Sequence, residues 1–288
     1  MSAPNPLKAK LAAGKPVLGT WSIISSPVVV EIFAMAGLDF IILDMEHGIY
    51  DVGALDACVR ACEAAGAAPL VRVPGMNASA VQWALDLGAH GIVVPQVADA
   101  ADAARAVGMG KYAPLGARGF NPFTRAGGYA APNSNSAGKL ANAFGLSAVI
   151  VENARALAEL DQICAIPGLD VVYIGVYDLS VALDCGGNPR DPRIAAIVVD
   201  AVRRIRAAGK AAGVMVNGAE DIARMLALGA NFLVYGVDTQ VIGRAVGDAV
   251  TTFRALTDPG ALSGPTRGKP GAGPGSRPQV PPKIEEPV

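Results

Sequence analysis

Six ionisable side chains stand directly after short runs of Val, Ile and Leu. They are Asp44, Glu46 and His47 in LDMEHG (43–48), Arg72 in VRVP (71–74), Glu152 in VEN (151–153) and Asp178 in IGVYDLS (174–180). Glu152 and Asp178 follow consecutive apolar runs, which as neighbouring strands would lie about 4.8 Å apart. Carboxylates held that close repel unless a cation sits between them, and two hard oxygen ligands completed by water suit Mg²⁺ or Mn²⁺ better than Zn²⁺. A second reading makes each a helix cap, since Glu152 precedes NARALAEL and Asp178 precedes LSVAL. His47, in a loop beside Gly48, could act as a general base near neutral pH, with Asp44 and Glu46 placed to orient it; it could equally be a merely exposed loop residue. Arg72 ends an apolar run, where its guanidinium needs an anion: a substrate carboxylate or one of the nearby acids. Arg118 and Arg125, from a long loop, would either reach this site or fix the loop. His90, just before an apolar run, falls at the other end of the elements and reads as structural.

The elements that must carry these residues are eight short runs separated by Ala-rich stretches of helical spacing. The runs are 17–22, 39–43, 69–73, 91–94, 147–151, 171–174, 212–216 and 231–235. They are continuous rather than alternating, as parallel strands buried on both faces require. Runs two to eight each follow a glycine suited to ending a helix: Gly37, Gly66, Gly88, Gly145, Gly168, Gly209 and Gly229. Eight strands alternating with helices predict a (β/α)8 TIM barrel, an α/β fold in one domain over residues 1–258. An open doubly wound sheet is disfavoured, because no G-x-G-x-x-G follows an early strand. The widest interval, between Gly88 and Gly145, holds a long loop (113–135) and one extra helix. In such barrels chemistry collects where strands end, and all six side chains fall there.

Composition narrows the function classes. The chain has 288 residues, 52 % hydrophobic and 17 % charged, with 24 Lys+Arg against 25 Asp+Glu. A net charge of −1 argues against a nucleic-acid binder. Residues 259–288 hold 8 of the 21 prolines and 6 of the 34 glycines and are expected to form a disordered tail. The tail carries four Lys/Arg and two Glu, which leaves the body near −3. The longest uncharged run, 16–30, is too short and too broken to span a membrane, and the N-terminus lacks the apolar stretch of an export signal. The four cysteines, Cys58, Cys62, Cys164 and Cys185, are too scattered for a disulfide scaffold and read as reduced thiols. A cytoplasmic protein follows, with no nucleic-acid or membrane partner.

Taken together, these motifs resemble the HpcH/HpaI aldolase family, metal-dependent (class II) pyruvate aldolases on a TIM barrel. The resemblance spans about residues 6–256 and adds ALDLGAHGIVVPQV (84–97), KYAPLGARGF (111–120) and GVD (236–238) to the motifs above. It implies that Glu152 and Asp178 bind a divalent metal (Mg²⁺ or Mn²⁺, with Co²⁺ admissible). It implies that His47 is the catalytic base, paired with Asp86, and that Arg72 binds the pyruvyl group and steadies its enolate. Asp44 and Glu46 match the acidic residues around the metal's waters, and Gly175, Val176 and Tyr177 would help hold the substrate. The implied reaction cleaves or forms 4-hydroxy-2-oxo acids, from a 2-oxo acid and an aldehyde, in a homo-oligomer (trimer or hexamer, often with exchange of a C-terminal helix). No Schiff-base lysine is needed, and none stands at a strand end. The chain departs from the pattern at Ile150, where many members carry Gln, and at Val176, where many carry Pro; Asn153 and Tyr177 are placed in the site wall. Two rival expectations keep the barrel: Claisen-type chemistry, as in citrate synthases or citryl/acyl-CoA lyases, and a non-catalytic oxo-acid-binding barrel.

Overall fold

The computed structural model describes residues 4–130 and 138–257. Its eight strands are β1 (Val17–Ser22), β2 (Phe40–Asp44), β3 (Ala68–Arg72), β4 (Gly91–Val94), β5 (Leu146–Val151), β6 (Val171–Ile174), β7 (Ala211–Val216) and β8 (Phe232–Val237). Each pairs in parallel with its sequence neighbours, and β8 closes on β1, giving the expected (β/α)8 barrel. Each expected strand lies within two residues of the observed one.

The helices are α1 (Pro6–Ala12), α2 (Pro27–Met35), α3 (Val52–Ala64), α4 (Ala78–Asp86), α5 (Ala100–Gly110), α6 (Lys139–Phe144), α7 (Ala154–Ala158), α8 (Leu160–Cys164), α9 (Val176–Ala182), α10 (Pro192–Ala207), α11 (Ala219–Ala227) and α12 (Asp238–Thr257). Helix α6 is the extra helix of the wide interval. Five of the seven glycines sit one residue past a helix cap with φ between +75° and +99°: Gly37, Gly66, Gly88, Gly209 and Gly229. A side chain there would be strained, so glycine ends the helix. Gly145 departs from the pattern. Its φ is −61°, because α6 runs straight into β5 through an extended residue. Gly168 is left-handed but lies three residues beyond the cap of α8.

The core has two layers. One fills the barrel, with Trp21, Phe40, Ile42, Leu70, Ile150, Tyr173 and Phe232. The other packs strands against helices, for example Ile41, Leu43, Leu55, Val59, Cys58 and Cys62. Leu7 of α1 belongs to the inner layer. None of the described helices is long and apolar enough to cross a membrane. The expected tail, 259–288, and loop residues 131–135 lie outside the described residues.

Candidate active site

The ends of β2, β3, β5 and β6 converge on one cavity of about 400 Å³. Asp44 ends β2 and is fully buried. Its Oδ1 accepts from the Glu46 N–H (2.9 Å) and the His47 N–H (3.2 Å), which fixes the turn that carries both residues. The same carboxylate receives Arg72 from β3: Nε donates to Oδ1 at 2.8 Å and Nη2 to Oδ2. Arg72 Nη1 lies 3.2 Å from Glu46 Oε2, and its Cζ sits 4.3 Å above the Trp21 ring. The guanidinium is thus clamped in plane by two carboxylates and stacked from one side, which keeps it charged.

Glu152 follows β5 and is 8 % exposed. Neither it nor Asp178 caps a helix. Asn153 is the N-cap of α7, accepting from the Ala156 N–H, and α9 starts at Gly175 with no side-chain cap. Asp178 lies in the first turn of α9 and lines the same cavity as Glu152. Burial pushes the Glu152 carboxyl up to about 7, against the Gln96 N–H, and the nearby Asp178 and Glu46 add to the rise. Gly175 makes this approach possible. A Cβ there would lie 2.7 Å from Glu152 Cβ and 2.8 Å from its Oε2. His47 stands at the open rim, its side chain 65 % exposed and Nε2 3.9 Å from Glu46 Oε2. Val176 and Tyr177 line the cavity beside Gly175.

Three further residues belong to this site. Gln96, after β4, adopts φ +55° and aims its N–H at Glu152 Oε1 (2.6 Å) while its side chain donates to Glu46 Oε1 (2.6 Å). Trp21 and Tyr173 form its floor. Only Gln96 left a trace in the sequence, as a polar residue just past a strand; the aromatic pair reads there as ordinary core.

Other expected residues stand elsewhere. Asp86, at the end of α4, pairs with Arg118 (2.8 Å) and accepts from Gln82 (2.7 Å); within one chain the structure does not bring it to His47. The reason is local: α4 runs away from the mouth, and Asp86 occupies its last turn. Arg118 and Arg125 hold the loop. Arg125 donates to Glu63 and to Leu87 O, and Arg118 stacks on Tyr112. His90 is buried beside Glu63 and Phe144, and burial lowers its pKa, as befits a structural residue. The four cysteines are unpaired and buried.

A carboxyl raised by burial beside a second carboxyl is short of a positive partner. Among the described residues no three His, Cys, Asp or Glu side chains form a complete metal cage. A hard cation that keeps several waters needs only one or two carboxylates, and Glu152 with Asp178 meets that requirement.

Known proteins resemble this chain in sequence and in fold. A family model described as HpcH/HpaI aldolase/citrate lyase matches residues 18–245. A hydroxypyruvate/pyruvate aldolase from Pseudomonas aeruginosa is 34 % identical over 254 residues, covering 87 % of this chain and 93 % of that protein. An HpcH/HpaI aldolase/citrate lyase family protein from Burkholderia cenocepacia superposes with a TM-score of 0.81 at 30 % identity, covering 87 % of this chain and 99 % of that one. Citrate synthase SbnG superposes at 0.78, also at 30 % identity, covering 88 % and 98 %.

Proposed function

The chain belongs to the HpcH/HpaI aldolase/citrate lyase family, and from that premise we propose a divalent-metal-dependent aldolase that cleaves or forms 4-hydroxy-2-oxo acids. The observation that carries this reading is the clamped Arg72 facing the same cavity as the Glu152–Asp178 pair. Glu152 and Asp178 would hold Mg²⁺ or Mn²⁺, which when bound supplies Lewis-acid stabilisation of the enolate charge.

The residues of the chain divide the remaining work. Arg72 offers the N–H groups not used by Asp44 and Glu46 to the 2-oxo oxygen. Because the guanidinium is already fixed, it stabilises the charge that develops there without reorganising. Backbone from Gly175 to Asp178, at the edge of the cavity, would hold the oxo acid's carboxylate. His47 at the rim takes the 4-hydroxyl proton in cleavage. The C3–C4 bond then breaks, its electron pair passes into the enolate and the aldehyde leaves. A proton delivered to C3 completes the 2-oxo acid. In condensation His47 returns the proton to the new hydroxyl. Asp44 and Glu46 hold the His47 turn and Arg72. Lys111 is buried and donates to the carbonyls of Asn142 and Gly145, and among the described residues no lysine lines the cavity for a Schiff-base route.

A homo-oligomer, trimer or hexamer, is part of the same reading, supported by uncovered apolar faces on α2 and α12. A cytoplasmic setting is supported by the four unpaired thiols. The test gives the purified protein Mg²⁺ or Mn²⁺ and compares pyruvate plus an aldehyde panel with oxaloacetate plus acetyl-CoA. Exchange of pyruvate methyl protons in D₂O is followed in parallel. Turnover and exchange with pyruvate are expected. Neither with pyruvate, together with turnover of oxaloacetate plus acetyl-CoA, would transfer the chain to the Claisen reading that the SbnG likeness favours.

A further inference from the structure

A second cavity, of about 1040 Å³, lies beside the reaction cavity and meets it along Val176, Tyr177 and Met215. It forms where β7 and β8 end, a place where barrels of this kind frequently seat a phosphate group. Three arginines line it against one aspartate, an excess of two positive charges on a chain whose net charge is −1. The aspartate is engaged locally. Asp221 Oδ1 lies 2.9 Å from Arg224 Nη2, and its Oδ2 accepts from the Asn217 N–H at 3.3 Å. The other two guanidinium groups have no carboxylate partner among the described residues. Arg244, in α12, donates from Nη1 to Asn217 O at 2.7 Å and from Nη2 to Tyr235 Oη, and its Cζ lies 5.2 Å from the centre of the Tyr235 ring. Neutral partners thus hold this guanidinium in place and leave its charge uncompensated. Arg190 stands in the loop between α9 and α10. Its backbone N–H donates to Asn188 Oδ1 at 3.0 Å, and its side chain has no partner among the described residues.

We propose that this second cavity binds a phosphate monoester at the far end of the aldehyde, so that the chain joins a 2-oxo acid to an aldehyde phosphate or releases one. This rests on the aldolase reading and deepens it. The charged groups of the reaction cavity are occupied with the 2-oxo acid, and none of them is left for a charge carried by the aldehyde. The second cavity supplies that charge and the room. Its volume is more than twice that of the reaction cavity, enough for a short chain ending in a phosphate. A phosphate monoester carries nearly two negative charges at neutral pH and three acceptor oxygens, which answers two uncompensated guanidinium groups. A single carboxylate answers only one. Guanidinium forks bond phosphate oxygens in pairs, so Arg190 and Arg244 can share one phosphate while Arg224 keeps Asp221.

With pyruvate fixed and Mg²⁺ or Mn²⁺ present, glyceraldehyde 3-phosphate is compared with glyceraldehyde. The phosphorylated aldehyde should show the higher kcat/KM by about 10-fold or more. Arg190→Met and Arg244→Met should each remove most of that advantage and leave turnover of glyceraldehyde close to normal. Arg190 lies on an exposed loop, so its replacement leaves the fold intact even if that of Arg244 disturbs α12. Binding is measured separately by calorimetry on the cation-free protein with glycerol 3-phosphate, which has no aldehyde to react. It should bind, and each substitution should weaken it about 10-fold. Equal kcat/KM for the two aldehydes overturns the proposal, as does a preference that survives both substitutions. Glycerate binding as tightly as glycerol 3-phosphate overturns it too, since the cavity would then take any anion. So does tighter binding of adenosine 3′,5′-bisphosphate, which would transfer the cavity to an acyl-CoA and the Claisen reading. If no aldehyde turns over with pyruvate in the unsubstituted protein, the aldolase reading fails, while the calorimetry still decides whether the cavity holds a phosphate monoester.

Discussion

At the scale of single residues the proposed metal site rests on Glu152 and Asp178. Removal of either carboxylate, by Glu152→Ala or Asp178→Ala, should abolish metal-dependent turnover and reduce Mn²⁺ binding measured by calorimetry. EDTA should act likewise and reversibly; activity that survives both would refute the metal assignment. The raised Glu152 pKa gives a second expectation with a definite sign. In the cation-free folded protein this carboxyl titrates near 7, against an ordinary 4.5, so the fold holds a proton that the unfolded chain releases between those values. Its stabilising contribution is complete below about pH 4.5 and is lost as pH rises through 7, on the order of 2–3 kcal/mol. Cation-free denaturation midpoints should therefore fall across that window, and saturating Mn²⁺ should flatten or reverse the slope. A slope of the same sign and size with Mn²⁺ would contradict the placement of the ion. Arg72 is the other fixed charge. Arg72→Lys should lower kcat/KM by about 10²-fold, because a point charge cannot keep both bonds to Asp44 while facing the cavity. Near-normal rates in steady-state assays would refute that role.

Elements decide which of these residues meet. Gly175, just past β6, leaves the room that the Glu152 side chain occupies; Gly175→Ala would drive a methyl into Glu152 Cβ and Ile150 Cγ2. Such overpacking typically costs about 1–3 kcal/mol, and here it would displace the Glu152 carboxylate. Mn²⁺ affinity should drop more steeply than the thermal midpoint, and unchanged affinity in a calorimetric titration would show that this contact is not what sets the site. The same elements explain what was legible beforehand. Strand runs and the left-handed glycines are local signals, so the barrel could be read directly, and residues just past strands fall at the mouth by topology alone. Gly145 misled because a glycine after a helix need not be left-handed when the strand begins at once. Trp21 and Tyr173 were illegible because inward residues of β1 and β6 meet only across the closed barrel, and their spacing is that of any core pair. Gln96 stands visibly just past a strand, but the bond from its backbone N–H to Glu152 is one that side-chain type cannot announce. Asp86 was named by resemblance to known proteins rather than by any spacing, and its partners within the chain are Arg118 and Gln82.

At the scale of the molecule, the last helix leaves the barrel incompletely covered. In a closed eightfold barrel the final helix would lie beside the first one that follows β1. Here Val28, Ile32 and Met35 of α2 are 63 %, 61 % and 75 % exposed. Helix α12 is held at its start, where fully buried Asp238 accepts from Ser22 Oγ and the Ile24 N–H, each at 2.9 Å. Beyond that turn Ile242, Val246, Val250, Phe253 and Leu256 recur at helical spacing and remain 40–79 % exposed. Two apolar stripes bare on one chain argue for mutual burial between copies, since contiguous apolar patches of this kind on soluble proteins mark association sites. The same turn of Asp238 anchors the segment carrying Ile23, which lines the cavity, so assembly on α12 would also steady one wall of the site. Phe253→Glu combined with Val250→Glu should shift the protein to a monomer in light scattering. Helix content should stay close to normal, and KM for the oxo acid should rise more than kcat falls. An unchanged oligomer would show that α12 is not the contact. A monomer with unaltered KM would confine its role to assembly.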